Sequence, residues 1–423
     1  MSDTQNGITL AARATDLANL RAVLEDQRAR AIDLVMTPGH YAADGGSIVI
    51  TGAEQVLEEN GITDPNGRYA PTRVAIDGLA EKLGIHASYL RRIAADRPDL
   101  FDLNVNGLLH GTPGPQGPDG APYPPLAAKL MLRLLRGDQS GTGVLRAVLS
   151  NSYQRIDNLD VLVAALGGVR DAGVAGRVTR CDLTETRMVV VIEAPEIRAQ
   201  APGLLAGYRD PFGRGGVERI RQLAQREGLG YEPGTEPVMH AGIKISNSET
   251  GDGRFTVSPH LTVQICRNGY TVKMDALGAT HLGGKLEEGL VRWSAATQRK
   301  ALELVASKSQ DAVGQFLSGE YLERKVAEWA EQAGTPVKAP AETITAMVRA
   351  SAIPNAYADE ILNCFIAGGQ LTAGGVMHAV TAAAQTVQDG DLADLMEQES
   401  VGALAYAAGN AERIAARAAA HAS

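Results

Sequence analysis

The chain has 423 residues, more than one hydrophobic core usually serves, so two or three structural regions are expected. Hydrophobic residues make up 44% and aromatics only 4%, a globular share whose cores must rest on Ala, Leu, Val and Ile. A formal net charge of −9 argues against a general polyanion binder while leaving room for a local basic groove.

No run approaches the roughly 18 apolar residues of a membrane span, and the start, MSDTQNGITLAARATD, lacks a charged segment followed by an apolar one. A cytoplasmic chain with no membrane partner is the expectation. Cys181, Cys266 and Cys364 are odd in number, far apart and without CxxC spacing, which speaks against a disulfide framework or a cysteine zinc site. Cys266 in a strand and Cys364 beside Phe365 read as small core residues.

Residues 1–110 read mainly as helix. LAARATDLANLRAVLEDQRARAIDLV repeats its apolar residues at three and four, and Pro38-Gly39 ends the pattern. VAIDGLAEKLGIHASYLRRIAADRP, residues 74–98, has the spacing of a helix, a tight turn at Gly84 and a second helix stopped by Pro98. Read as a DNA-binding helix-turn-helix, its second helix presents His86, Ser88, Tyr89, Arg91 and Arg92 to a groove. Read as a packing hairpin, the same arginines simply face water.

Residues 111–126 are dense in Pro and Gly and read as a linker or exposed loop, with a cleavable boundary. Residues 127–335 form the expected α+β core. Asp157 or Asn158 caps a helix that ends at Gly167-Gly168. The runs TETRMVVVIEAP, GIKISNS, RFTVSPHLTVQIC and YTVKMD, parted by ETGDG and Arg267-Asn268-Gly269, predict a central antiparallel β-meander. Asn268-Gly269 is read as a two-residue hairpin turn in which both residues take positive φ. A covering helix is predicted from about Leu286 through Trp293 to Val305, and residues 336–423 return to short helices divided by Gly and Pro.

AVLSNSYQRIDNLDVLVAAL, HAGIKISNSETGDGRFTVSPHLTVQICRNG, HLGG and GGVMHAVTAAAQ with DGDLADLMEQESVGAL occur in the order seen in the phage- and plasmid-associated family catalogued as domain of unknown function 932, which the chain after about residue 70 resembles. His378 stands where that family usually has Asn. The resemblance implies a protein of phages and mobile elements and carries over no catalytic residues.

Charge is segregated along the chain. Arg209, Arg214, Arg219, Arg221 and Arg226 cluster around Gly213 to Gly216 and the helix start that follows, a setting whose free N–H groups suit a phosphate. Without the Lys-Ser/Thr of a P-loop, a nucleic-acid backbone fits better than a nucleotide. Asp389, Asp391, Asp394, Glu397 and Glu399 make the C-terminal region acidic. Ser246, Asn247 and Ser248 end a strand before a glycine turn, either free to touch a phosphate or base edge or spent on their own backbone.

The favoured expectation is a non-catalytic DNA-associated protein. Single-stranded DNA is the preferred partner, bound or annealed in recombination by a homo-oligomer without cofactor or metal. Two alternatives are a metal-assisted enzyme acting on nucleic acid or nucleotide through His240, Glu249 and His281, and a protein-binding factor that redirects a host process through its alanine-rich C-terminal helices. No GxSxG elbow supports a nucleophilic serine.

Overall fold

The alternation Ile8, Leu10, Ala12 buried against Thr9, Ala11, Arg13 more open is a period of two, and it sets the start of the chain as strand. A computed structural model describes residues 2–58, 61–111, 122–137, 141–153, 156–205, 207–213, 238–263, 269–279, 289–290 and 295–422. β1 (Ser2–Gln5) and β2 (Ile8–Thr15) form a hairpin. Asp16 then caps α1 (Leu17–Arg30), its carboxylate accepting from the Asn19 N–H at 2.7 Å. Leu20, Leu24 and Gln27 are the buried face of α1, and the chain passes directly into β3 (Ala31–Met36).

β4 (Tyr41–Asp44), β5 (Ser47–Ile50), β6 (Val56–Glu58), β7 (Gly61–Thr63) and β8 (Gly67–Pro71) precede three consecutive helices, α2 (Arg73–Leu83), α3 (Ala87–Asp96) and α4 (Pro98–His110). β9 (Leu130–Leu135), β10 (Gly143–Ser150), α5 (Asn158–Asp171), β11 (Arg177–Leu183), β12 (Met188–Gln200) and the single turn α6 (Pro202–Leu205) follow. Then come β13 (Val238–Asn247), β14 (Phe255–Val263), β15 (Gly269–Thr271), β16 (Leu277–Ala279) and β17 (Gly289–Leu290). The chain closes with α7 (Ala295–Phe316), α8 (Gly319–Ala333), α9 (Pro340–Ala350), α10 (Ala358–Gly368), α11 (Ala373–Ala384) and α12 (Gly390–Ala422).

The fold is α+β, with two large sheets. The first runs β1-β2-β11-β12-β13-β14-β15, with β16 also on β14, and its β11 to β15 portion is the expected antiparallel meander. Its Val190, Ile192, Ile243, Ile245 and Val257 join α5, α7 and α8 in the main core, so a covering helix is present. The second sheet runs β17-β3-β9-β10-β8-β5-β4, and α2, α3 and α4 cover the face that carries Ile32, Leu34, Leu132 and Leu145.

Two expectations are corrected. Residues 1–110 are not mainly helical: strands flank α1 on both sides, because alanine-rich strand residues that alternate also satisfy part of a helical spacing. Strands cross the 111–126 boundary in both sheets, β2 pairing with β11, β3 with β9, and β8 with β10. The C-terminal helices share one core with the first sheet.

Two local readings shift as well. Gly289 and Leu290, placed in the covering helix by sequence, pair as strand with Val35 and Leu34. Asn268 lies outside the described residues, and Gly269 sits opposite Thr262 as a strand residue without positive φ, so the positive φ expected of it is corrected. Its need for glycine is steric, since a Cβ there would lie 2.5 Å from His260 Nε2.

Candidate functional site

Each of the apolar strands AIDLVM, LMLRLL and GVLRAVLS carries a lone charged residue, and the second sheet turns all three inward. Arg133 Nε donates to Asp33 at 2.9 Å, and Asp157 lies 3.7 Å and the Glu249 carboxylate 3.6 Å from its other nitrogens. Arg146 Nη1 meets Glu249 Oε2 at 2.5 Å, while Glu249 Oε1 accepts from the Asn158 N–H at the start of α5. Burial alone would lower the Arg133 pKa, and the fields of Asp33, Glu249 and Asp157 more than reverse it. For Arg146 burial prevails over Glu249 and lowers the value.

This network spends the polar edge 246–249 that sequence offered to a ligand. Asn247 is fully buried and donates from its amide to the Ile156 carbonyl and to Asn158 Oδ1. Ser248 Oγ donates to the Thr186 carbonyl at 2.7 Å, and Ser246 lies half-buried in β13 between Val189 and Thr256. A DNA contact through Ser246, Asn247 and Ser248 is therefore corrected to a structural role. The cause is that the strand end points into the junction of the two sheets and not to solvent.

Glu249 is equally committed, which removes the carboxylate from the metal-assisted reading. His240 is buried in β13 opposite Thr262, and His281 lies outside the described residues. Among the described residues no group of three His, Cys, Asp or Glu side chains is arranged to hold a metal ion. Cys181 and Cys364 are buried free thiols, both pushed up to about 11 by burial, and Cys266 lies outside the described residues. Among the described residues no helix is long and apolar enough to cross a membrane.

Of the arginine segment, Arg209 is exposed, its N–H donating to the Gly368 carbonyl and its guanidinium lying against Gly369. Arg214, Arg219, Arg221 and Arg226 lie outside the described residues. The acidic run of α12 is in part buried against the first sheet. Asp391, Asp394 and Glu397 recur every three residues on one helix face and meet a basic face of the first sheet. Lys244 Nζ donates to Asp394 at 2.5 Å, Arg180 holds Glu397 through two hydrogen bonds, and Arg187 lies 3.5 Å from Asp391.

A cleft of about 1000 Å³ opens where α2, the β11–β12 turn, the β13–β14 turn and the start of α12 converge. Its carboxylates, among them Asp77, Glu185, Asp252 and Asp391, outnumber Arg13, Arg73 and Lys82. Burial and the neighbouring Asp3 raise the Glu185 pKa, and burial with Asp391 and Asp77 raises that of Asp252. Such a lining disfavours a phosphate backbone.

The helix pair predicted at 74–98 is present. Thr72 caps α2 by accepting from the Ala75 N–H, and Gly84 ends it in the left-handed conformation (φ 69°), with Ile85 N–H donating to the Ala80 carbonyl. Three residues later α3 begins. Leu79, Leu83, Leu90 and Ile93 pack inward with Phe101 and Val105 of α4. The outward face of α3 leaves His86, Ser88 and Arg92 exposed and Tyr89 46% exposed. Arg91 is not free: its Nε lies 3.2 Å from Asp77 and reaches back to the Ala87 carbonyl, whereas Arg92 is 82% exposed with Asp96 only at 3.9 Å.

Comparison of the chain with protein-family models, with curated proteins and with solved structures finds no match.

Proposed function

We propose that this chain is a non-catalytic DNA-associated protein of the phage and mobile-element kind that its motifs resemble, and that it docks on duplex DNA through α3. The observation that carries this reading is the α2–Gly84–α3 unit. Its three-residue turn and buried Leu79, Leu83, Leu90 and Ile93 leave a second helix whose outward face exposes groups able to contact base edges and phosphates, Ser88, Tyr89 and Arg92. Of the two arginines singled out in sequence, Arg92 is the one available, since Arg91 is held by Asp77.

Fluorescence anisotropy with a labelled duplex at several salt concentrations tests it. The wild-type protein is expected to bind in a salt-dependent way, with or without a chelator. Arg92→Ala is expected to weaken binding and reduce the salt slope by roughly one, with an unchanged melting temperature because the side chain is exposed. Absence of duplex binding at low salt, or an Arg92→Ala curve that overlays the wild type, rejects α3 as the interface.

A further inference from the structure

A second basic feature stands apart from α3. Beyond the acidic face that packs on the first sheet, α12 continues as AYAAGNAERIAARAAAHA, and α9 lies alongside it. Between them runs a groove of about 500 Å³ lined by Arg349 of α9 and by Tyr406, Arg413, Ile414 and Arg417 of α12. Tyr406, Arg413 and Arg417 are spaced by seven and four residues, so they share one side of the helix over a length of ~16 Å. All three arginines are exposed, and none is held by a carboxylate among the described residues. Arg413 donates to Asn410 Oδ1. Glu342 is the carboxylate that shares the groove with them.

In a chain of net charge −9, whose other basic side chains at α12 are consumed by Asp391, Asp394, Glu397 and Glu399, three uncommitted guanidiniums in one groove are exceptional. Guanidinium forks fit phosphate oxygens, and an aromatic side chain beside them offers a surface on which an unpaired base rests. The volume is that of a site for one or two nucleotides. We infer that the α9–α12 groove binds the backbone of a single-stranded nucleic acid, with Arg349, Arg413 and Arg417 on successive phosphates and Tyr406 against a base. This is a different site from α3, with a different strand preference.

The experiment uses the full chain and labelled oligo(dT), titrated between about 50 and 200 mM salt. Three single-strand phosphate contacts give a slope near 2, so affinity is expected to fall roughly 20-fold over that range. Arg349→Ala/Arg413→Ala/Arg417→Ala is expected to bind weakly with a nearly flat salt response and to keep the wild-type circular dichroism, and Glu342→Gln to bind more tightly than wild type. Arg92→Ala is expected to leave oligo(dT) binding unchanged, so failure at this groove and failure at α3 are told apart. The inference is overturned if the folded triple variant binds oligo(dT) like wild type, or if the wild type binds none at low salt. It is equally overturned if poly-glutamate displaces oligo(dT) at equal charge concentration from the wild type but not from the triple variant, which would assign the groove to an acidic protein segment.

Discussion

His378 shows how one buried side chain joins three distant segments. Its Nδ1 accepts from the Tyr270 hydroxyl of β15 at 2.5 Å, and Nε2 faces the Leu204 carbonyl of α6 at 3.2 Å. Tyr208 stacks on the ring at 4.5 Å. His378 is thus a neutral imidazole serving as donor on one nitrogen and acceptor on the other. Burial holds its pKa down at about 4, below the ordinary histidine value of 6.5. Because the folded state takes up this proton less readily than the unfolded chain, the stability it confers is complete above pH 6.5. It is lost progressively as the pH falls from 6.5 to about 4, by roughly 3 kcal/mol. His260, lowered to about 3 by burial and by Arg180 and Lys244, acts in the same sense but is present in both proteins compared. Denaturant melts of wild type and His378→Asn across that range are expected to converge on acidification, and parallel curves would refute the assignment.

At the scale of elements, the first sheet and α12 are joined by buried charge as well as by the apolar core they share. Lys244 is 2% exposed and Asp394 4%, with burial pressing the lysine pKa down and Lys244 and Arg180 holding the Asp394 pKa down against burial. Removing one partner strands the other. Lys244→Met is expected to cost about 3 kcal/mol, at the low end for a broken buried pair because Asp394 keeps Arg187 at 3.7 Å. Lys244→Met with Asp394→Leu should recover a large part of that loss, as read by a double-mutant cycle in urea. If the double variant is as unstable as the sum of the singles, the pair is not coupled.

The same elements show what the sequence discloses. The β-branched meander strands and the Gly84 turn were legible because each rests on local chemistry, whereas Asp157, at the N-cap position of α5, makes no capping hydrogen bond with its side chain and lies instead 3.7 Å from Arg133. For Asp391, Asp394 and Glu397 the sequence showed an acidic C-terminal region but not its partners, because Arg180, Arg187 and Lys244 lie about 150 or more residues away. β2 and α1 merged into one helix on paper because Ala11, Ala12 and Ala14 suit either period. The polar stretch 246–249 looked like a ligand edge because nothing local reveals that Arg133 and Arg146 wait opposite it. The lone charges Asp33, Arg133 and Arg146 inside apolar strands were the readable sign that a buried partner had to exist.

At the scale of the whole molecule, chain order and spatial order diverge. β9 and β10 insert between β3 and β8, so strands from before residue 72 flank a pair from after residue 129, and β17 lies beyond β3 at one edge. The first sheet likewise takes β1 and β2 from the N-terminus, and Ile8 and Leu10 pack on Leu135 and Val144 of the second. A fragment 1–110 would expose Leu34 and Ile32 without Leu132 and Leu134, and Asp33 without Arg133. The complementary fragment would bury Arg133 without its nearest carboxylate. Cleavage within the Pro/Gly-rich stretch 111–126 is therefore expected to leave a nicked protein that elutes as one particle and unfolds in one transition. Residues 1–110 expressed alone are expected to show neither a sheet-like circular dichroism spectrum nor a cooperative melt. A nicked sample that separates into two folded pieces on gel filtration would mean that the sheet pairings across the stretch do not hold the molecule together.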